Sequence, residues 1–473
     1  MSKEYDLVIL GGGTGGYVAA IKAAQSGMSV AIVEQNKVGG TCLHKGCIPS
    51  KALLQSANVY RETKEAAQFG VNVEDVSFQL DIAQKRKTEI VEKLYAGVQA
   101  LLKKGNISIY KGKGRILGPS IFSPLPGTIS IEHGENEENT MLIPKYIIIA
   151  TGSQPKEIAT LPVDGTYIVH SDHILQLEEI PTSVAIIGGG VIGIEWASLL
   201  QDIGVQVTVF ETADHILMTE DKEIRTHVQR ALEKRGVDFE TNCTIDSYSI
   251  DEEANNITIT YIDETSKQLT VDKVLLSVGR KANTDDIGLE NTNIKLEHGN
   301  IQTNEYFQTE ESHIYAVGDC IGGLQLAHVA SAEGMVAVEH MLKEQPHIMQ
   351  ELNVPRCIYS FPEVGAIGLT EEDARNAGYD VKIGRFPYQA NGKALIKGET
   401  EGFIKLISDK ETDDILGIHL VGPQATDMIS EGSLAKLLDA STFEFQNVIR
   451  PHPSLSEVFT EVALEADGKP IHL

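Results

Sequence analysis

Cys42 and Cys47 stand in the run GGTCLHKGCIPSK, two thiols separated by four residues. Such a pair can take up two electrons as a dithiol and give them back by closing a disulfide, provided one sulfur becomes a thiolate. Three readings compete. A zinc site needs two further ligands, yet only His44 lies nearby, and Cys243, Cys320 and Cys357 show no paired spacing. Inert buried thiols are the usual fate of intracellular cysteine. A redox pair fits the setting, just after one glycine-rich nucleotide fingerprint and just before a helix-like stretch. On an ideal helix, Cα atoms five residues apart are about 8.7 Å from each other, whereas a disulfide tolerates no more than about 7 Å. The bonded pair is therefore predicted to sit on a distorted first turn. Pro49 then helps to set the start of a regular helix over roughly Ser50 to Glu62. The N-terminus of that helix, aimed at the pair, is expected to favour thiolate.

A second constellation lies in RPHPSLSEVFTEVALEA, where His452 stands between Pro451 and Pro453. Proline fixes its own φ and keeps the preceding residue out of the helical region, so the imidazole is expected on a stiff loop. Ser454 and Glu457 match the S-x-x-E capping box of the next helix. Glu457 can also pair with His452, orienting the ring and stabilising its protonated form, which is the arrangement of a general base. The two roles are compatible. The remaining histidines, His44 and His328 among them, have no comparable setting.

These groups need a scaffold, and an internal repeat supplies it. The first copy is YDLVILGGGTGGYVAAIKAAQSGMSVAIVEQ and the second TSVAIIGGGVIGIEWASLLQDIGVQVTVFET. Each begins with an apolar run that reads as a buried parallel strand. Each continues through GxGxxG (Gly11, Gly13, Gly16; Gly188, Gly190, Gly193) into a helix and a second strand closed by an acid, Glu34 or Glu211. The first glycine makes the tight turn, the second lets a pyrophosphate approach, and the third lets helix and strand pack closely. The helix N-terminus faces the phosphates, and the acid accepts from a ribose diol and repels a 2′-phosphate. Three more runs, YIIIATGSQP, KVLLSVGRKAN and HIYAVGDCIGG, read as strands opening into glycine turns, with Asp319 at the mouth of the last. Ligands sit at such strand ends in open α/β sheets, although an aspartate there is also a common turn former or helix cap.

From about Glu351 onward no phosphate-binding glycine pattern occurs. GFIKLIS and ILGIHLVG read as strands joined by a turn, followed by an amphipathic helix near Ser430 to Leu438. The expected fold is α/β: two Rossmann-like nucleotide-binding domains and a C-terminal α+β domain suited to dimerisation. The expected segments are 1–150, 151–279 and 280–350 (the second part of the first domain), then 351–473.

A chain of 473 residues has room for about three domains. A hydrophobic content of 42% supports real cores. A net charge of −27 disfavours nucleic acid and anionic membrane as partners and permits a basic protein. Five cysteines are too few for a secreted disulfide scaffold. The start MSKEYDLVIL resembles no signal peptide, and no window is apolar enough to span a bilayer. The expected compartment is the cytoplasm.

At GGGTGG with Glu34, GGTCLHKGCIPSK, ATGSQP, GGGVIGIE with Glu211, AVGDC and HPSLSE, the chain resembles the flavin-containing pyridine nucleotide–disulfide oxidoreductases, over essentially its whole length. Within them it is most similar to the branch that oxidises dihydrolipoyl groups. The resemblance implies FAD in the first fingerprint and NAD in the second. It implies a homodimer whose active sites each borrow a histidine from the partner subunit. Cys42 would exchange with substrate and Cys47 would face the flavin. Lys51 would lie near the flavin and pair with Glu195, the acid of GGGVIGIE; a lysine on a helix is otherwise a solvated one. Glu195 falls in an apolar helix start, where an unpaired charge is costly. Besides the two fingerprints, the implied cofactor contacts are Gly40, Thr41, Lys51, Gly114, Thr151 and Gly152. Asp319, Ala327, Val191 and Gly279 complete them. One departure stands out: the family's usual LNVG between the cysteines is LHKG here, with His44 and Lys45. Neither residue is required for disulfide chemistry.

The expected reaction is oxidation of a dihydrolipoyl group by the disulfide, with His452 as base and electrons passing through FAD to NAD. Residues before Tyr5 are too few for a lipoyl domain, so a carrier is expected to present the arm: the acyltransferase of a 2-oxo acid dehydrogenase complex or a glycine-cleavage lipoyl protein. Glutathione and mercuric reductases are the rivals. Their usual NADP wants an Arg near the end of the second strand, but no basic residue follows Glu211 until His215. The tail ADGKPIHL also lacks the cysteine pair of a mercuric reductase. A non-catalytic flavoprotein would have little reason to keep Cys42, Cys47, His452 and Glu457 together.

Overall fold

In the computed structural model, residues 3–119, 126–134 and 137–473 are described. The chain divides into two compact units, one of Met1–Ala52, Asp81–Lys156 and Gly279–Met349, the other of Leu53–Leu80, Glu157–Val278 and Gln350–Leu473.

In the first unit the strand Lys3–Leu10 lies between Val30–Glu34 and Thr140–Ile149, parallel to both, and Val8 pairs with Ala31 on one side and Ile147 on the other. Beyond Val30–Glu34 comes Ser108–Lys111. The far edge of Thr140–Ile149 is shared: its first half pairs with Ile129–Glu132 and its last residues with Ile314–Ala316. Leu7, Val8 and Ile9 are completely buried, as unbroken apolar strands covered on both faces must be. The fingerprint helix Thr14–Gln25 packs on Ala327–Met341. The contact is close because both helices carry glycine there: a Cβ on Gly334 would lie 2.7 Å from the Gly15 carbonyl oxygen.

The second unit repeats the motif in a parallel sheet ordered Val237–Glu240, Gln206–Phe210, Ser183–Ile187, Lys273–Leu276, Ile168–His170. It also holds an antiparallel sheet ordered Arg356–Ile358, Glu363–Gly368, Ile415–Gly422, Phe403–Asp409, Val381–Pro387. Helices Ala425–Leu437 and Val458–Ala466 pack on that sheet. The two strands expected around GFIKLIS and ILGIHLVG are both present. The helix expected near Ser430 to Leu438 starts earlier, at Ala425, directly after the strand ending at Gly422. Among the described residues no helix is long and apolar enough to cross a membrane.

Candidate active site

The two fingerprints are built alike. Gly11 and Gly188 take φ of +102° and +109°, and a Cβ there would sit 2.2 Å from the Ala150 oxygen and 2.6 Å from the Ser277 oxygen. At Gly16 and Gly193 a Cβ would collide with the carbonyl of the first glycine, at 2.0 and 2.1 Å. The middle glycines face open space: nothing lies within 4 Å of a Cβ on Gly190, and the nearest atom to one on Gly13 is 3.9 Å away. Gly13 and Gly190 are also the helix N-caps, so no side chain takes up the first N–H groups. Each acid is anchored in the same way. Glu34 accepts from the Gly12 amide at 2.7 Å and the Asn36 amide at 2.8 Å. Glu211 accepts from the Gly189 amide at 2.7 Å and the Ala213 amide at 2.9 Å. Val191 is the first residue of the second fingerprint helix.

The cysteines lie on two consecutive helices, Gly40–Lys45 and Cys47–Lys64, broken at Gly46 with φ −141° and ψ −116°. A Cβ at Gly46 would meet the Cα of Cys42 at 3.3 Å and the Thr41 oxygen at 3.1 Å. This break resolves the spacing problem, because it folds the two thiols to within hydrogen-bonding reach of each other. The second helix starts at Cys47, three residues before the expected Ser50, since Pro49 in the first turn lacks only an N–H that would be unpaired anyway. Within the pair, Cys42 is held as the neutral thiol beside Cys47. Its hydrogen bond with Cys47, then burial and the Cys47 charge, push its pKa up, and the Lys51 ammonium opposes them only in part. Thr41 is exposed beside it. Gly40, at φ +63°, lies so near the fingerprint that a Cβ would come within 2.5 Å of the Gly13 Cα.

Asp319 lies inside the short 3-10 turn Gly318–Ile321, whose cap is Val317, so it is not the helix cap. Its carboxylate accepts from the Ser153 hydroxyl. Arg280 donates from Nε to Ser153 Oγ at 2.7 Å and stands 3.8 Å from Asp319. Behind the turn, Glu333 accepts from the Gly318 amide at 2.6 Å. Burial pushes the Glu333 pKa up to about 7 against that amide, with help from the Asp319 charge. Thr151 donates to the Asn283 carbonyl, Gly152 and Gly279 have positive φ, and Ala327 begins its helix without a side-chain cap. Gly114 has a packing reason of its own, as a Cβ would be 2.6 Å from Leu10 Cδ2.

In the second unit, His452 Nδ1 lies 2.9 Å from Glu457 Oε1, and Glu457 Oε2 accepts the Ser454 amide at 2.8 Å. Capping and pairing thus coexist in one carboxylate. Burial works against ionisation of Glu457, but the Ser454 amide and the imidazole hold it below the usual carboxylate range. A carboxylate only accepts, so Nδ1 carries the proton and the free lone pair is on Nε2. The ring is 80% exposed. Glu195, 6% exposed on the second fingerprint helix, accepts the Tyr359 amide at 3.0 Å. Lys51 belongs to the first unit and Glu195 to the second.

Residues 5–334 match the model of the pyridine nucleotide-disulphide oxidoreductases, and residues 354–463 match the dimerisation domain of the same enzymes. The chain is 57% identical to a dihydrolipoyl dehydrogenase of Bacillus subtilis, with all of both chains covered. It is 38% identical to the dihydrolipoyl dehydrogenase of Zymomonas mobilis, again over all of both. Among solved structures it is similar to LpdA from Mycobacterium tuberculosis, with TM-score 0.90 and 25% identity, covering 98% of this chain and 99% of that one. The HOCl-induced flavoprotein disulfide reductase RclA from Escherichia coli, in its Cu(II) complex, gives TM-score 0.86 and 28% identity over 98% and 99%.

The chain belongs to the pyridine nucleotide-disulphide oxidoreductase family.

It is an enzyme of that family, with FAD and NAD as cofactors and the fold that its motifs imply. The residues present fit both dinucleotides. The space beside Gly13 and beside Gly190, at uncapped helix N-termini, is what a pyrophosphate requires.

Four residues of the site escaped the sequence reading. Tyr17 lies beside Cys42: burial and then the Cys42 charge raise its phenol. Its signal was an aromatic after the third glycine of the first fingerprint, where the second has Ile194. Ser153, Arg280 and Glu333 gather around the Asp319 turn from distant positions; the runs YIIIATGSQP and KVLLSVGRKAN marked the strand ends that carry the first two but not the side chains themselves, and Glu333 carried no local signal.

Proposed function

We propose that the protein is a dihydrolipoyl dehydrogenase, oxidising protein-bound dihydrolipoyl groups to lipoyl and reducing NAD. The observation that carries this reading is the Cys42–Cys47 pair, folded together at Gly46 against the first fingerprint loop. In the oxidised enzyme the two sulfurs are bonded. His452, on the partner subunit, takes the proton of a substrate thiol at Nε2 while Glu457 holds its Nδ1 proton. The substrate thiolate attacks Cys42, forming a mixed disulfide and releasing Cys47 as thiolate. The second substrate thiol then attacks the mixed disulfide, its proton passing to the departing Cys42 sulfur, which closes the lipoyl ring and frees Cys42 as a thiol. The electron pair is now on the dithiol. FAD and NAD, held by the residues named below, would supply the two-electron and hydride chemistry that takes the pair off the dithiol.

Gly11, Gly13, Gly16 and Glu34 hold FAD, together with Gly40, Thr41, Lys51, Gly114, Thr151, Gly152, Asp319 and Ala327. Gly188, Gly190, Val191, Gly193, Glu211 and Gly279 hold NAD. The segments 1–150 and 280–350 form the flavin domain, 151–279 the nicotinamide domain and 351–473 the interface of a homodimer. The match of 354–463 to the family's dimerisation domain and the outward-facing His452 ring support the dimer. The enzyme works in the cytoplasm with the lipoyl-bearing acyltransferase of a 2-oxo acid dehydrogenase complex or with a glycine-cleavage carrier. Purified protein supplied with dihydrolipoamide and NAD should form NADH. Inactivity there, with NADPH-driven reduction of another disulfide, would overturn the reading.

A further inference from the structure

His44 is the residue of the inter-cysteine segment that the chemistry leaves unused, and the structure assigns it a place. The helix carrying Cys42 has only six residues. A helix that short does not stand by itself and takes its position from its contacts. Its start is a turn of two positive-φ glycines, Gly39 and Gly40, and the Gly39 amide donates to the Gly12 carbonyl of the fingerprint loop at 2.7 Å. Across that turn the His44 ring reaches back, Nε2 lying 2.9 Å from the Val38 carbonyl oxygen. A carbonyl only accepts, so Nε2 is the donor. The same ring meets Tyr95 edge-on at 5.2 Å between centroids. Tyr95 sits on the long helix Leu80–Lys104 and also lies under the Lys37 ammonium, which pairs with Glu92 at 3.0 Å. The chain is thus held on both sides of the glycine turn, by Lys37 before it and His44 after it, against one face of one helix.

We propose that His44 is a positioning residue that holds the Cys42-bearing helix in register with Cys47 and thereby sets the dithiol–disulfide equilibrium of the pair. The inference rests on Cys42 and Cys47 being the redox pair. The step it governs is the two-electron one: the S–S bond breaks as two electrons and two protons form two thiols. Holding Cys42 close to Cys47 raises its effective concentration and favours the bond. Releasing the helix favours the dithiol.

The test equilibrates the flavin-loaded enzyme in buffers of graded reduced and oxidised dithiothreitol, quenches by alkylation and reads the Cys42–Cys47 peptide by mass. His44→Ala and Tyr95→Leu should each move the equilibrium about three- to tenfold toward dithiol, about 15 to 30 mV for a two-electron couple. The double variant should move it no further than the larger single, because both act through one clamp. Tyr95→Phe, which keeps the ring, should not move it. An equilibrium within twofold of the parent in either His44→Ala or Tyr95→Leu overturns the proposal. If His44→Ala does not fold, Tyr95→Leu decides. Failure of the underlying reading looks different: the oxidised parent would then lack the Cys42–Cys47 bond altogether.

Discussion

Glu457 divides its two oxygens between His452, at 2.9 Å from Nδ1, and the Ser454 amide, at 2.8 Å. The oxygen that caps the following turn therefore also fixes the angle at which the other meets the imidazole. The carboxylate cannot turn away from the ring without breaking the cap. Because Glu457 is held below the usual carboxylate range, this arrangement persists through mildly acidic pH.

His452→Gln should lower turnover of dihydrolipoamide with NAD by about 10²- to 10⁴-fold, the range for a lost general base. Glu457→Gln should lose less, about ten- to a hundredfold, since it acts through the ring. Electron flow from NADH to a dye needs no proton taken from a substrate thiol and should stay near the parent rate in both. An equal loss in the dye assay would mean that His452 serves structure and not proton transfer.

Cys42→Ser should abolish dihydrolipoamide oxidation while the purified protein remains yellow. Flavin retention separates loss of thiol exchange from loss of fold. Residual turnover above about one part in a thousand of the parent rate, well outside the span assigned to a missing nucleophile, would count against the exchange role.

Gly190→Ala and Gly193→Ala should part company. A methyl at Gly190 meets nothing within 4 Å in the protein but enters the space assigned to the NAD pyrophosphate. The fold and bound FAD should survive while KM for NAD rises about tenfold or more. A methyl at Gly193 would come within 2.1 Å of the Gly188 oxygen, and this overpacking should cost about 1–3 kcal/mol in thermal unfolding. Equal melting points for the two variants would contradict the assignment.

Glu211→Arg should exchange repulsion of a 2′-phosphate for a charged hydrogen bond, worth about 1.5–3 kcal/mol, and so shift the NADP/NAD ratio of kcat/KM by about ten- to a hundredfold. Steady-state kinetics with both cofactors measure it directly. Unchanged preference would remove Glu211 from the ribose site.

Glu333 gives a pH signature. Its folded pKa of about 7 exceeds the ordinary carboxyl value, so between about pH 4.3 and 7 the folded state binds more protons than the unfolded one. Its contribution to stability therefore falls as pH rises through that window and is flat above it. Glu333→Gln cannot titrate but can still accept from Gly318. The variant should gain on the parent in melting temperature between pH 5 and pH 8, by up to about 3 kcal/mol of relative stability. A pH-independent difference would show that the carboxyl does not titrate there.

Much of this protein was readable along the chain because its signals are local. A GxGxxG between an apolar strand and an acid is one contiguous piece of backbone geometry, and at both copies the collisions and openings fall on the glycines assigned to them. The same holds for His452, Ser454 and Glu457, whose partners lie within five residues. The sequence also determined that Cys42 and Cys47 could not share a regular helix. It did not determine how the conflict is resolved. The break falls at Gly46, before Pro49, because a side chain there would press on Thr41 and Cys42. Nor did it foresee that the neighbouring thiol and burial would push the Cys42 pKa up against Lys51, since that balance depends on what surrounds the sulfur. The residues around Asp319 were decided only in three dimensions. Ser153, Arg280 and Glu333 come from three separate stretches of chain; the glycine turns marked two of those stretches, but nothing along the chain joined the three side chains to one another. Periodicity and spacing report which face of an element is covered; which distant side chain covers it depends on the packing of the whole sheet.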